Sequence, residues 1–376
     1  MAANTMDTTD YEYSEDDFNG SENYTYLYPD WHELLDCPQK SLPWQSVIIP
    51  TLYFLIFFTG FIGNLCVIVI MASKHKNRRL VDTFVINLAV ADLVFVCTLP
   101  FWGISAAKEN QWDFGDFLCK FSSYVIAVNR FSNIFFLTCM SVDRYLAVVR
   151  MLDSRYLRSN QCVRLTCCVI WLASIALGVP SLIYRRVEEN GAARLCTEIA
   201  DSAVFNGISL VALFLAFVLP VVIIVACYCS ILVKLRNPPG LQNPKTEQRR
   251  RHSLKIVLVI IVAFVVSWLP FNVFKTILIA CQLQFASLSC ASQTTLARGL
   301  TLSSCFAFLN SCANPAIYIF LDHHFRHRAL RFCLGWFGPQ IKRRSGAPAA
   351  SSSGLTIDSY SVSSYPRCRM SSVHLQ

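Results

Sequence analysis

Long apolar runs alternate with short polar connections along most of this chain. Each of the seven runs exceeds the roughly 20 residues that an α-helix needs to cross about 30 Å of hydrocarbon. The alternation therefore predicts an all-α membrane protein, a seven-transmembrane helix bundle over residues 43–321. The apolar runs cover approximately 46–72, 81–106, 117–149, 163–184, 204–235, 254–281 and 297–321.

The segments on either side of the bundle differ from it and from each other. Residues 1–42 carry ten acidic residues and no Lys or Arg before Lys40, so we expect a disordered extracellular tail. No apolar signal segment precedes the first run, which is expected to act as its own insertion signal. Asn19 and Asn23 each begin an N-glycosylation sequon in this tail.

The chain after the last span divides into two parts. Residues 322–334 place Phe325 and Phe332 among basic residues, which predicts a short amphipathic helix on the membrane surface, in contact with lipid headgroups. Cys333 near its end is a candidate palmitoylation site. Residues 335–376 are Ser-rich without hydrophobic periodicity, which predicts a disordered cytoplasmic tail with phosphorylation sites.

Composition and charge place the chain in a membrane and orient it. The sequence is 54% hydrophobic and 15% charged, against about 25% charged residues in soluble domains. Cations are concentrated in alternate connections, which the positive-inside rule assigns to the cytoplasm. We therefore expect a multi-pass plasma-membrane protein with an extracellular N-terminus. The orienting cations are Lys74, Lys76, Arg78, Arg79, Arg155, Arg158, Arg164, Arg249, Arg250, Arg251 and Lys255.

Polar residues inside the apolar runs indicate what the bundle does. Asp92 lies in the middle of the second run; Asn129 and Asn133 lie four residues apart in the third, as Asn310 and Asn314 do in the seventh. Pairs at that spacing share a helix face. One carboxylate among neutral oxygen donors suits a small cation such as sodium. The alternative is that these groups only hydrogen-bond the helices together.

Three prolines interrupt the later runs, namely Pro220, Pro270 and Pro315. Each removes a backbone hydrogen bond and creates a kink at which its helix can pivot. Trp268 precedes Pro270 by two residues, and Phe264 lies one turn earlier. A bulky aromatic side chain beside a kink can rotate when a ligand enters, although ordinary aromatic packing explains either residue alone.

Asp143, Arg144 and Tyr145 stand where the third run meets basic sequence. A charge at membrane depth costs about 2.5–3.5 kcal/mol, so it usually faces a partner or a cavity. Asp143 is an adjacent partner for Arg144. A pair that can exchange partners is a switch, whereas a fixed pair only marks the end of the helix.

The cysteines outside the apolar runs predict disulfides on the oxidising face. Cys119 opens the third run and Cys196 lies in an external connection, so a bond between them is expected. Cys37 with Cys290 is the favoured second pair, and Cys281 with Cys290 is the alternative. No CxxC pair has a matching partner, so no metal site is expected. No nucleophile–base set is visible either, and an enzyme is not expected.

Together these motifs resemble the rhodopsin-like G-protein-coupled receptors, over a region from about residue 42 to 333. The resemblance rests on GNLCV with Asn64, NLAVADL with Asp92, the Cys119/Cys196 pair, DRY at 143–145, SWLP at 267–270 and NPAIY at 314–318. Within the family, Thr98-Leu-Pro100, the Trp112-Asp-Phe-Gly115 loop and the Cys37/Cys290 pair are similar to the chemokine and peptide branch.

The resemblance implies roles for the residues of this chain. Arg144 leaves Asp143 to meet the G protein, supported by Tyr228 and Tyr318. Trp268, with Phe264, Pro270, Asn314 and Pro315, relays ligand entry. Asp92, with Asn129, Asn133, Asn310 and Asn314, holds sodium. Five positions at the external helix ends match family peptide pockets, with cations that suit an anionic ligand terminus; they are Tyr53, Trp102, Arg185, Lys275 and Arg298.

Two departures from the family change these expectations. Ser304 replaces the Glu that chemokine receptors commonly use to hold a ligand amine, which puts a chemokine-like binding mode in doubt. Arg130 directly follows Asn129, so we expect it to occupy or repel the sodium site and to weaken sodium sensitivity. The snorkelling of Arg185 and Lys275 to the interface is the alternative to a cationic pocket.

The expected function is reception of an extracellular peptide or small chemokine-like protein, with activation of a heterotrimeric G protein of the inhibitory class. Arrestin and receptor kinases are the further partners that the resemblance implies, and no nucleic acid is expected. A scavenging receptor without G-protein signalling is the alternative. A transporter is a more distant one, since Asp92 and Arg130 are the only deep charges in the apolar runs.

Overall fold

The computed structural model describes residues 44–73, 80–150, 159–190, 193–198, 203–236, 244–283, 289–323 and 325–331. Seven helices in these ranges are long and apolar enough to cross a membrane, which confirms the predicted all-α seven-helix bundle. We call them the first to the seventh span. They are Gln45–Ala72, Val81–Ala107, Gly115–Arg150, Gln161–Ile183, Ala203–Arg236, Arg251–Gln282 and Ala291–Leu321.

Several spans are built from more than one helical segment. The second consists of α2 and α3, the fourth of α5 and α6, and the fifth of α7 and α8 joined by a wider π-helical turn. A second π-helical turn, Leu146–Arg150, closes the third span. The helices are α1 Gln45–Ala72, α2 Leu80–Val96, α3 Leu99–Ala107, α4 Gly115–Tyr145, α5 Asn160–Gly178, α6 Pro180–Ile183, α7 Ala203–Leu213, α8 Leu219–Arg236, α9 Pro244–Gln282 and α10 Cys290–Leu321; the π-helical turn of the fifth span is Phe214–Val218.

Proline explains where two of these breaks fall. Pro100 lies at the start of α3, where a missing N–H costs the helix nothing. The Thr98 hydroxyl donates to the Phe95 carbonyl at 2.7 Å, which satisfies an acceptor at the end of α2. Pro180 begins α6 in the same way. Pro270 and Pro315 instead lie inside continuous helices, as predicted kink sites.

A two-stranded antiparallel hairpin covers the outer end of the bundle. Strand β1 is Arg185–Asn190 and β2 is Ala193–Glu198, in a register that pairs Arg185 with Glu198 and Val187 with Cys196. The Cys119–Cys196 disulfide ties β2 to the start of the third span, as predicted. The Val187 N–H also donates to an Asp116 carboxylate oxygen at 3.0 Å. The hairpin is therefore fixed over the third span from both strands.

The interior of the bundle is apolar and closely packed. Phe136, Leu88 and Phe264 are at most 1% exposed, whereas large apolar residues such as Phe320 cover the outer faces, as lipid contact requires. The first and seventh spans approach especially closely. A Cβ added at Gly63 would lie 2.9 Å from the Pro315 ring, so this contact depends on the missing side chain.

A short helix over residues 325–331 follows the seventh span, within the range predicted for the amphipathic helix. The Asp322 carboxylate accepts the Phe325 N–H at 3.1 Å and caps its first turn. Phe325 is buried, and its ring contacts Tyr318 with centroids 6.0 Å apart. Cys333, the predicted palmitoylation site, lies outside the described residues, as do Asn19, Asn23 and both predicted tails.

Candidate functional site

A cavity of about 1010 Å³ opens among the outer halves of the spans, beneath the hairpin. This volume lies at the upper end of what drug-sized ligands fill. All five residues predicted to bind ligand line it, from the first, second, sixth and seventh spans and from β1. They are Tyr53, Trp102, Arg185, Lys275 and Arg298.

The lining is strongly cationic, with one acidic residue among its described members. Arg130, Arg185, Lys275 and Arg298 contribute four positive charges, and Glu198 contributes the single negative one. Anionic groups of a ligand are therefore attracted to this cavity.

Glu198 is the residue of the cavity that the sequence analysis missed. Its Oε2 atom accepts the Lys275 ammonium at 3.1 Å and the Arg185 guanidinium at 3.4 Å. Neither cation therefore simply snorkels to the interface, since each turns inward to a shared carboxylate. The signal was present in the sequence: Glu198 follows the disulfide-bonded Cys196 by two residues, so it had to lie over the cavity.

The protonation state of Glu198 follows from this arrangement. Burial raises its pKa, but Lys275, and then Arg185, act against burial and hold the pKa at about 2, below its ordinary value. Glu198 is therefore ionised at physiological pH. One full negative charge is divided between two cations, and the cluster keeps a net positive charge.

Arg130 corrects a prediction. We expected it to occupy or repel the sodium site, because it follows Asn129 in the sequence. Its side chain instead lines the cavity, with the guanidinium 5.1 Å from the centroid of the Phe131 ring and 6.0 Å from that of Trp268. Its electrostatic partner is Glu198 rather than Asp92. The expected weakening of sodium sensitivity thus loses its physical basis.

Asp92 gathers the polar residues of the inner bundle. Its carboxylate accepts the side-chain amides of Asn129 at 2.9 Å, Asn133 at 2.8 Å and Asn314 at 3.0 Å. Ser311 donates its hydroxyl at 2.9 Å, in the place that was predicted for Asn310. Asn310 donates no hydrogen bond to Asp92 in the described part of the chain. The cluster joins the second, third and seventh spans.

The donor set around Asp92 also fits a small cation. The amide oxygens of Asn133, Asn310 and Asn314 are buried, with no hydrogen-bond partner among the described residues. Buried oxygens of this kind are the ligands that a hard cation takes. With Asp92 they supply one negative charge and several neutral oxygens, the chemistry suited to a monovalent ion.

Trp268 lies between the cavity and the inner bundle. Its ring contacts Phe264 with centroids 6.0 Å apart and meets Phe271 edge-on at 5.8 Å. It lines the cavity, and Pro270 lies two residues further along the same helix. The predicted relay residues Phe264, Trp268 and Pro270 are therefore contiguous on the sixth span.

At the end of the bundle opposite the hairpin, Arg144 contacts one residue of its own span and one of the sixth. A guanidinium nitrogen lies 2.9 Å from the Asp143 carboxylate, and another donates to the Ser253 hydroxyl on the sixth span at 3.2 Å. Ser253 was not predicted. Tyr145 packs against a small apolar cluster of Val148, Ile231 and Leu254. The third and sixth spans are thus linked at Arg144.

Tyr228 and Tyr318 are the tyrosines that were predicted to support Arg144. Both phenol oxygens are buried and have no hydrogen-bond partner in the part of the chain that the structure describes. A buried hydroxyl without a partner costs about 1–3 kcal/mol. A rearrangement that gave these hydroxyls hydrogen-bond partners would therefore recover that free energy.

The second predicted disulfide lies mostly outside the described residues, because neither Cys37 nor the Cys290 side chain is described. Cys281 is a buried free thiol, so the alternative pairing of Cys281 with Cys290 is not formed.

Comparison with known proteins gives a consistent result. The family model described as the 7 transmembrane receptor (rhodopsin family) matches residues 63–318. The probable G-protein coupled receptor 25 of Mus musculus is 41% identical over 317 residues, covering 84% of this chain and 86% of that protein. G-protein coupled receptor 15 of Mus musculus is 38% identical, with coverage of 83% and 85%. The apelin receptor of Xenopus tropicalis is 35% identical, with coverage of 86% and 90%.

The family match and the relatives agree with the seven spans of the structure. These proteins are membrane receptors rather than enzymes, with an extracellular ligand and a G-protein partner. The chain belongs to the rhodopsin family of seven-transmembrane receptors.

Proposed function

We propose that this receptor is activated by an extracellular peptide or small chemokine-like protein and that it activates a heterotrimeric G protein of the inhibitory class. The observation that carries the ligand class is the large cavity with four cations and one carboxylate. Such a lining favours a ligand that ends in an anionic group, for example a peptide C-terminal carboxylate. The similarity to the apelin receptor supports a peptide as the ligand.

The signal would pass down the bundle through the contacts described above. A ligand that enters the cavity moves Trp268, which the kink at Pro270 allows. The Asp92 cluster then rearranges, and Arg144 exchanges Asp143 and Ser253 for the G protein. Tyr228 and Tyr318, whose hydroxyls lack partners in the described residues, turn toward Arg144 in that state.

Asp92 would hold a sodium ion in the resting state, with oxygens from Asn133, Asn310 and Asn314. The ion would stabilise the closed arrangement of the second, third and seventh spans, because it binds that arrangement and not the other. Replacing Asp92 by Asn should therefore abolish the effect of sodium on basal signalling. An unchanged sodium response in Asp92→Asn would contradict this assignment.

The plasma membrane is the proposed site of action, with the acidic N-terminus outside and Asn19 and Asn23 glycosylated. An antibody against an N-terminal epitope tag should bind intact cells, and glycosidase treatment should reduce the mass of the receptor. Arrestin and receptor kinases are proposed to act on the Ser-rich tail. Antibody binding that required permeabilised cells would place the N-terminus inside the cell and contradict the proposed orientation.

Agonist-driven G-protein dissociation in cells tests the proposal. Secreted peptides are screened against wild type, and the responding G-protein class is identified. Arg144→Ala should abolish the response, while Arg150→Ala, a cation removed at the exposed end of the same span, should leave it intact. Ligand uptake through arrestin without G-protein dissociation would indicate a scavenging receptor. Substrate flux would indicate a transporter.

A further inference from the structure

Arg130 is the one cation of the cavity that lies deep in the third span, beside Trp268. A guanidinium at membrane depth is costly, and such residues usually face a partner or a functional cavity. Arg130 forms no salt bridge within the described residues, and its Nε atom is buried without a hydrogen-bond partner. Its contacts are two aromatic rings, Phe131 and Trp268. The charge is therefore only partly compensated.

The cations nearer the entrance are in a different situation. Lys275 and Arg185 both contact Glu198, at 3.1 and 3.4 Å, and Arg185 also donates to the Cys196 carbonyl at 3.4 Å. An anionic ligand group that bound these two would have to compete with a carboxylate already in place. Arg130 interacts with Glu198 only through space, without direct contact. Of these three cations, Arg130 is therefore the one that can accept a new anion without displacing a carboxylate in direct contact.

We propose that Arg130 is the docking site for a carboxylate at the end of a ligand that enters the cavity. The planar guanidinium offers two parallel N–H donors, which match the two oxygens of a carboxylate. The inference rests on the proposed function, since it names the residue that reads the anionic end of the ligand. Glu198, Lys275 and Arg185 then line the route to it.

The position of Arg130 gives the docking a consequence for signalling. Its guanidinium faces the Trp268 ring at 6.0 Å, within the range of a cation–π interaction. A carboxylate that binds Arg130 neutralises this charge and draws the guanidinium toward itself. The Trp268 ring thereby loses the cation that it faces, at the residue that adjoins the Pro270 kink.

The test uses a reporter cysteine and a defined probe on the purified full-length receptor. Ala127 lines the cavity three residues before Arg130, on the same helix face, and is replaced by Cys. The free thiol of Cys281 also lines the cavity, so the reporter is built in a Cys281→Ala background. The rate of modification by neutral methyl methanethiosulfonate is then measured with N-acetyl-leucine or with N-acetyl-leucinamide.

The acid should slow modification of the reporter, and the uncharged amide should not. Arg130→Gln and Arg130→Met should each weaken protection by the acid roughly tenfold, whereas Arg130→Lys should keep part of it. The matched control is Arg194→Gln, which removes a cation from the exposed part of the hairpin, outside the cavity lining. It should leave protection unchanged. Thermal unfolding of every variant verifies the fold.

Equal protection by the acid and the amide would overturn the proposal, and so would an absence of protection by the acid. Protection that survives Arg130→Gln but disappears in Lys275→Gln would move the carboxylate to the Glu198 cluster and overturn it as well. Because labelling does not depend on signalling, these results are independent of whether the receptor activates a G protein. Failure of the proposed function would appear only in the cell assay.

Discussion

The hydrogen bond between Arg144 and Ser253 makes the strongest quantitative prediction. It joins the third span to the sixth at the end of the bundle opposite the hairpin, with 3.2 Å between Nη1 and Oγ, while the same guanidinium contacts Asp143 at 2.9 Å. Because the proposed activation frees Arg144 for the G protein, it must break the contact to Ser253. Replacing Ser253 by Ala therefore removes an interaction that only the closed bundle makes, and should raise signalling without agonist.

The size of the effect follows from the type of bond. Hydrogen bonds that involve a charged group contribute about 1.5–3 kcal/mol, and the Arg144 side chain is only 15% exposed. Allowing for water at this end of the bundle, a loss of about 1–2 kcal/mol changes the ratio of open to closed receptors by roughly 5- to 30-fold. Basal G-protein dissociation, divided by receptor number at the cell surface, measures this ratio.

Two further substitutions at the same position separate the bond from general disturbance of the helix. Ser253→Thr keeps a hydroxyl and should stay near wild type, while Ser253→Asp offers Arg144 a second carboxylate and should lower basal signalling. Ser230→Ala is the matched control, because among the described residues its hydroxyl bonds only to the Ala226 carbonyl of its own helix. The reasoning would be refuted by unchanged basal signalling in Ser253→Ala, or by an equal rise in Ser230→Ala.

The spans could be predicted from the sequence because a membrane-crossing helix needs a minimum length and an apolar composition, and both can be read from a continuous stretch of residues. One clear difference is at the start of the seventh helix, predicted near residue 297 and observed from Cys290. Its first turns are polar and are capped by the Ser289 hydroxyl, which accepts the Ser292 N–H at 3.4 Å. Such a cap can stabilise helical turns beyond the hydrocarbon, and these turns are not predicted by hydropathy because they are polar.

Neighbours in the sequence were mistaken for neighbours in space at Arg130. Consecutive residues of a helix are about 100° apart around its axis, so Asn129 and Arg130 face different surroundings. Asn129 reaches Asp92, and Arg130 reaches the cavity and Trp268. The spacing of four that correctly placed Asn133 with Asn129 already implied this separation.

Glu198 and Ser253 were missed for a different reason. Each contacts a residue far away in the chain: Lys275 lies 77 positions from Glu198, and Arg144 lies 109 positions from Ser253. Local pattern carries no information about such a pair. Lys275 had no acidic neighbour in the sequence, whereas Arg144 already had Asp143. Only the packing of the hairpin and of the sixth span identified Glu198 and Ser253 as contacts.

Two predictions, one about packing and one about charge, are tested by thermal unfolding of the purified receptor. Gly63→Ala should lower the free energy of unfolding by about 1–2 kcal/mol, because the new methyl group overlaps the rigid Pro315 ring. The control Gly207→Ala, which has open space around it, should be neutral or stabilising. Equal melting temperatures of the two variants would contradict this reasoning. Glu198→Gln should lower the melting temperature by leaving Lys275 and Arg185 without a counter-charge. The pKa of Glu198 in the folded receptor is about 2, below its ordinary value of 4.5. The ionised carboxylate therefore contributes its full stabilisation of the fold above pH 4.5, and this stabilisation is lost as the pH falls toward 2. The difference between wild type and Glu198→Gln should therefore stay constant from pH 7 to pH 5 and narrow only in more acidic buffer. Narrowing already above pH 5 would mean that the carboxylate is not held by its two cations.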